Sequence, residues 1–232
     1  MRILIANDKF KGSLPAEKAG FHLKNSLETA FPQASFDLCP IADGGEGTAL
    51  AMTTALAGEW TRGTTQDAQG RPLEAPFGWV TSSATAIMEM SAASGLAIVQ
   101  DLNLNPFNAS TLGTGILIRS ALAKGARRIL IGIGGSATND GGLGVAVALG
   151  YTFKKAGEPF TPTLETILQA DQVEKPASLP PFELIVACDV DTIFVDAAEV
   201  FAPQKGASPA QVALLTRRLQ RLAEVYREDH GV

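Results

Sequence analysis

Residues Arg128 to Gly150 read RILIGIGGSATNDGGLGVAVALG, and no other stretch limits the fold as strongly. Ile129-Leu130-Ile131 is apolar and β-branched, the pattern of a buried strand. Val145 to Leu149 is apolar, small and dense enough for a packed helix. Between them runs a polar, glycine-rich loop, Gly132 to Gly144. A strand that passes through such a loop into a helix N-terminus presents free N–H groups and a positive dipole end to an anion. Ser136, Thr138, Asn139 and Asp140 add hydroxyls, an amide and a carboxylate. A unit of this kind belongs to an α/β fold with parallel strands.

Two common phosphate-binding motifs fail here. Gly132, Gly134 and Ala137 satisfy the relaxed dinucleotide fingerprint, but that fingerprint starts its helix at the second glycine. The cap-type residues and glycines at 138–142 would then lie inside the helix, where they are unfavourable. No Walker A sequence occurs anywhere.

The strand–loop–helix order appears twice more near the N-terminus. Arg2 to Ala6 reads as a strand, and Ser13 and Pro15 open a helix reaching about Ala30. Asp8, Lys9 and Lys11 then stand at a strand's C-terminal end, where open α/β sheets carry their ligands. Phe36 to Ala42 is a second strand, and Asp43-Gly-Gly-Glu-Gly-Thr48 opens a helix through Ala57. Asp43 and Glu46 can hold Mg²⁺, accept a hydroxyl proton or cap that helix. Both strands are expected to be buried on both faces.

From Glu59 the texture changes. Residues 60–90 alternate short β-rich runs with turn residues, the pattern of an antiparallel meander. The expected boundary divides an N-terminal unit, residues 1–60, from a second unit, residues 61–232. Ser110 to Gly115, with Thr114, feeds a helix over Ile116 to Ala123 that ends at Gly125. Residues 151–181 are proline-rich and loosely patterned, with a short helix over 163–170. Glu183 to Cys188 reads as a buried strand ending in Asp189. Phe201 to Ala207, with Gln204 and Lys205, precedes a final amphipathic helix from Pro209 to about Arg227.

A hydrophobic share of 46% and a net charge of −5 fit a compact globular protein and argue against nucleic acid. The N-terminus has no signal-peptide pattern and no apolar run is long enough to span a bilayer, so a cytoplasmic protein is expected. Cys39 and Cys188 lie in apolar, strand-like surroundings and are expected as buried free thiols. Neither His22 nor His230 lies in a ligand-rich loop, which disfavours a Ser-His-Asp hydrolase or a histidine zinc site.

Taken together, ANDKFKGSL, ADGGEGT, GTG, IGIGGSATNDGG, ACDV and PQKGA resemble the bacterial glycerate kinase family. The resemblance implies two α/β domains, a flavodoxin- or Rossmann-like parallel-sheet domain and a second, mixed α/β domain inserted into it. It implies ATP-dependent phosphorylation of D-glycerate on its 2-hydroxyl, with Mg²⁺. The family's members are longer, and their later segments would complete the first sheet.

Phosphoryl transfer calls for metal-binding oxygens, donors around phosphates, a base and a cation for the substrate carboxylate. Asp43, Asp140 and Asp189 are the candidate catalytic carboxylates, with Glu46 and Asp43 for metal. Lys11 and Lys205 are candidates to neutralise phosphate or carboxylate. Lys9, Ser13, Gly44, Gly45 and Thr114 are expected to bind substrate or phosphate. Gly134, Gly135, Ser136, Thr138, Asn139, Gly141, Gly142 and Gln204 complete that set. Which loop takes ATP and which takes glycerate stays open, as does homo-oligomerisation. A second reading is a family member without the later segments, binding glycerate or nucleotide without turnover.

Overall fold

A computed structural model describes residues 1–10 and 13–230, and Lys11, one of the expected site residues, lies outside them. Over these residues the chain is a mixed α/β protein built on three sheets. Strand β1 (Arg2–Ile5) leads to helix α1 (Ala16–Ala30), which starts one residue after Pro15. Strand β2 (Ser35–Leu38) returns parallel to β1, with Ile3 opposite Phe36. Helix α2 (Thr48–Ala55) follows the glycine-rich loop.

The expected meander is present. Strands β3 (Glu59–Gln66), β4 (Pro72–Val80) and β5 (Thr85–Glu89) run antiparallel in turn. Helix α3 (Ser91–Ser94) and helix α4 (Leu112–Ala123) carry the chain over to β6 (Arg128–Gly132), which lies parallel to β5. Helix α5 (Leu143–Ala148) closes the central unit. Strands β7 (Thr152–Lys155), β8 (Glu158–Phe160) and β9 (Gln172–Glu174) form a small antiparallel sheet. That sheet is hidden in the sequence because its strands are short and broken by proline and glycine. Strand β10 (Glu183–Ala187) then joins β6 in parallel, giving the order β10-β6-β5-β4-β3. Helices α6 (Ala197–Phe201) and α7 (Pro209–His230) finish the described chain.

Strand alternation gives the five-stranded sheet two working faces. Ala75, Phe77, Ala86, Met88, Ile129 and Ile131 point one way and pack with Leu117, Ile118 and Ala121 of α4. Val80, Ile87 and Leu130 point the other way and take Ala49 and Met52 of α2. So α2, although inside residues 1–60, packs on the sheet of the second unit. Helix α7 is shared between partners. Leu222 and Val225 pack on the small sheet at Phe153 and Val173, while Leu215 and Leu219 pack on Ala198 and Ala202 of α6.

Three expectations about burial are corrected. Of β1 only Ile5 is buried, and Leu4 is 64% exposed. Leu38 of β2 and Leu184, Ile185 and Val186 of β10 are exposed as well. Among the described residues the β1–β2 sheet has two strands, with Ile5 packed at Gly20 of α1 and Leu4 left open, and β10 is an edge strand with Leu184, Ile185 and Val186 exposed on both of its faces, so most apolar side chains on these strands lack a covering layer. Cys39 and Cys188 directly follow these strands and are both exposed free thiols rather than buried ones.

Candidate active site

The parallel strands set the site, because their C-terminal ends converge on one cleft of about 1050 Å³. Asp8 and Lys9 arrive from β1, Asp43 and Glu46 from the loop after β2, Glu89 from β5, Gly134 and Gly135 from β6, and Asp189 from β10. Ser13 also lines it. A crevice beyond the carboxyl ends of parallel strands is the usual ligand position in open α/β sheets.

The two sheets meet here main chain to main chain. Gly134 N donates to Gly44 O at 3.1 Å. A Cβ on Gly132 would stand 2.4 Å from Gly44 O, and one on Gly134 would stand 2.7 Å from Gly45 Cα. Any side chain at either position would push the cleft walls apart.

Lys9 reaches across the cleft floor to the Asp43 loop. Its Nζ lies 3.2 Å from Asp43 Oδ1 and 3.6 Å from Asp8 Oδ1. Burial works against the Lys9 charge, but the hydrogen bond and charge of Asp43, with Asp8, outweigh it and raise its pKa. The Asp43 carboxyl is held below the usual range by the Gly45 amide, 3.1 Å away, and then by Lys9. Asp43 does not cap α2, one of the tasks open to it from the sequence. Glu46 and Asp189 expose their side chains at the cleft.

Glu89 escaped the sequence reading. Its Oε1 accepts from the Gly47 and Ala49 amides at 2.9 and 2.8 Å, and its Oε2 accepts from Ser91 Oγ at 3.2 Å. The available signal was a charged residue closing the apolar run Thr85-Ala-Ile-Met-Glu89, just as Asp189 follows Glu183 to Cys188.

The central loop divides. Gly134 and Gly135 face the cleft, whereas the residues beyond them turn into the protein. Asp140 is 3% exposed. Its Oδ2 accepts from the Thr111 amide and hydroxyl, both at 2.8 Å, and from Gly144 N at 3.2 Å; its Oδ1 accepts from Gly142 N at 3.2 Å. Burial pushes its pKa up, against these hydrogen bonds. The anion that satisfies the starts of α4 and α5 is thus the protein's own carboxylate, and Gly142 has its amide engaged inside the chain. That geometry departs from the expected phosphate seat at the end of this loop. Helix α5 starts at Leu143, not at the second glycine, so the dinucleotide fingerprint has no matching structure.

Lys205 and Thr138 are buried beside Asp140, and Lys205 donates to Ser136 Oγ at 2.9 Å and to Thr138 O at 2.5 Å. Asn139 donates to Ala197 O at 3.1 Å, while its Oδ1 is buried without a partner. Thr114 exchanges a 2.8 Å hydrogen bond with Ser94, tying α4 to α3. Gly141 sits under Phe194, Leu219 and Leu222, and Gln204 is exposed. None of these side chains lines the cleft with Lys9 and Asp43.

Comparison with known proteins places these features in one group. A model described as the glycerate kinase family matches residues 3–232. The chain is 39% identical over 236 residues to a protein named glycerate kinase from Halalkalibacterium halodurans, covering 99% of this chain and 62% of that one. It is 38% identical over 235 residues to a protein named glycerate 2-kinase from Escherichia coli, covering 98% and 62%. A crystal structure from Salmonella typhimurium LT2, assigned as a glycerate kinase 2, superimposes with a TM-score of 0.86 at 36% identity, covering 100% of this chain and 65% of that one. The chain spans about three-fifths of the length of the curated relatives it matches.

Proposed function

The chain belongs to the glycerate kinase family, and from that premise we propose that its cleft binds D-glycerate beside ATP and transfers the γ-phosphoryl group to the 2-hydroxyl of the acid. The observation that carries this reading is the convergence of the Lys9–Asp43 pair, Gly134, Gly135 and Asp189 on one cleft. Phosphoryl transfer is mostly positioning and charge stabilisation, and these are the groups such a site uses. Asp43 is engaged by Lys9 and Gly45, so Asp189, exposed at the same cleft, is the acceptor for the hydroxyl proton. Lys9 supplies positive charge to phosphate or to the glycerate carboxylate, and Lys11 shares that duty by the family resemblance. Asp140, Thr138, Asn139 and Lys205 support the loop from within.

Among the described residues no three His, Cys, Asp or Glu side chains cluster closely enough to form a metal cage. Mg²⁺ is usually held by one or two carboxylates together with substrate phosphates, and Asp43 and Glu46 fit that donor set. When bound, the ion neutralises charge on the phosphates.

The test is to supply D-glycerate and Mg·ATP and follow ³¹P resonances, with enolase as the coupling enzyme for 2-phosphoglycerate. Formation of 3-phosphoglycerate alone would overturn the assigned hydroxyl. A second reading, binding without turnover, is favoured by the open apolar faces of β1, β2 and β10 beside the cleft. Calorimetric binding of ATP or glycerate with no product identifies that outcome.

A further inference from the structure

Helix α2 begins without a cap of its own. Its first position follows Gly47, which has no side chain to satisfy the leading amides. Glu89 does so from another strand, 42 residues away from Gly47 and 40 from Ala49 in sequence. A helix N-terminus is a ready seat for an anion, since its free N–H groups and dipole both favour negative charge. At α2 that seat is filled by a half-buried carboxylate lining the cleft. The rest of the loop is fixed in the same direction. Thr48 donates through its amide and its hydroxyl to Gly45 O, at 3.2 and 2.7 Å, and Gly44 O accepts from Gly134 N. The segment from Asp43 to Gly47 is therefore pinned to the five-stranded sheet at both ends, by Gly134 and by Glu89. Asp43 and Glu46 lie between the pins.

We propose that Glu89 is a positioning residue. It fixes the loop that carries Asp43 and Glu46, and by filling the α2 seat it keeps the anionic groups of ligands on the Lys9 side of the cleft. Its effect on turnover rests on the kinase reading; its hold on the loop does not. Glutamine at this position keeps an oxygen acceptor for both amides and removes the charge, whereas alanine vacates the seat, leaving space for formate.

The experiment compares the wild-type protein with Glu89→Gln and Glu89→Ala by hydrogen exchange and by steady-state kinetics. In Glu89→Ala, exchange at the Gly47 and Ala49 amides rises about tenfold or more, and formate restores protection. In turnover, Glu89→Ala loses about tenfold or more in kcat with a much smaller change in KM, formate recovers part of the loss, and Glu89→Gln loses less. A cap with only a structural role would lower Tm without this kcat effect or its rescue. Unchanged exchange at Gly47 and Ala49 overturns the proposal, as does wild-type kcat in Glu89→Ala. If wild type itself forms no product, the kinase reading fails, and the exchange and formate results still decide whether Glu89 holds the loop. Should Glu89→Ala not fold, Glu89→Asp, which draws the carboxylate back by one methylene, gives the same two readouts.

Discussion

Lys205 Nζ donates to the main-chain carbonyl of Thr138 at 2.5 Å across 67 residues of chain, which ties the turn before α7 to the central loop. Burial lowers the pKa of this amine to about 8, with Asp140 acting in the opposite direction. The charged form is therefore penalised in the native state relative to the unfolded chain, whose lysine titrates near 10.5. Below pH about 8 the whole penalty is present, and between the two pKa values the unfolded chain holds the extra proton, so stability rises with pH. The contribution amounts to about 3 kcal/mol. Urea denaturation from pH 8 to 10 should show a steeper rise in stability for wild type than for Lys205→Met. Parallel curves would remove Lys205 as the source.

Asp140 is buried among amides and a hydroxyl of its own chain, so its replacement should be felt in stability first. Asp140→Ala leaves three buried donors from Thr111 and Gly144, and the part-buried Gly142 amide, without their acceptor. Each unsatisfied donor costs about 1–3 kcal/mol, partly relieved by water and relaxation, so a loss of about 3 kcal/mol or more is expected. Calorimetric unfolding checks it. A change below about 1 kcal/mol, together with lost activity, would return Asp140 to the reacting centre.

Asp43 should behave in the opposite way. Its side chain is 36% exposed and its pair with Lys9 is reached by water, so Asp43→Asn should change stability by less than about 1 kcal/mol. What stabilisation it gives is in place above the ordinary carboxylate pKa and is lost as pH falls through its lowered folded value. Because the same substitution frees Lys9 and weakens the Mg²⁺ donor set, the rate of glycerate phosphorylation should fall about a hundredfold. An Asp43→Asn protein with full turnover would exclude the loop from the reaction.

The sheets should also differ in protection. Amides of Ile3 to Ile5 belong to a two-stranded sheet with Leu4 and Leu38 exposed, whereas β6 lies between β5 and β10 over the α4 core. Hydrogen exchange should be faster in β1 than at Ile129 to Ile131 by orders of magnitude. Equal protection would mean that β1 opens only with the whole molecule.

Fold and site are most legible in the sequence where periodicity and loop chemistry agree. Ile129 to Ile131, the meander and the Asp43–Thr48 loop all carry strong local signals, and the strands set those loops at one cleft. Side-chain destination was harder to read. Asp140 and Glu46 look alike as carboxylates in glycine-rich loops, yet one is wrapped in amides and the other faces solvent. The difference lies in the distant segment Ser110–Thr111, which no local pattern links to residue 140. Glu89 was missed for the same reason, since the amides it serves are brought to it only by packing α2 on the sheet. Burial of β1, β2 and β10 was misjudged because apolar composition reports what a strand can cover, not whether a layer stands over it.

At the joint where Gly132 and Gly134 meet Gly44 and Gly45, the walls stand main chain against main chain, with no room for a side chain between them. Substitutions along the lining can recolour this slot, changing which groups a visitor meets, without altering its gauge. Gly132→Ala inserts a methyl at the line of closest approach and acts as a shim, moving every wall-borne group by about an ångström at once. A displacement of that size is costly to a reaction that depends on alignment, even though no reacting group has been replaced. At this joint the damaging carbon is one that would be added where the sequence has none.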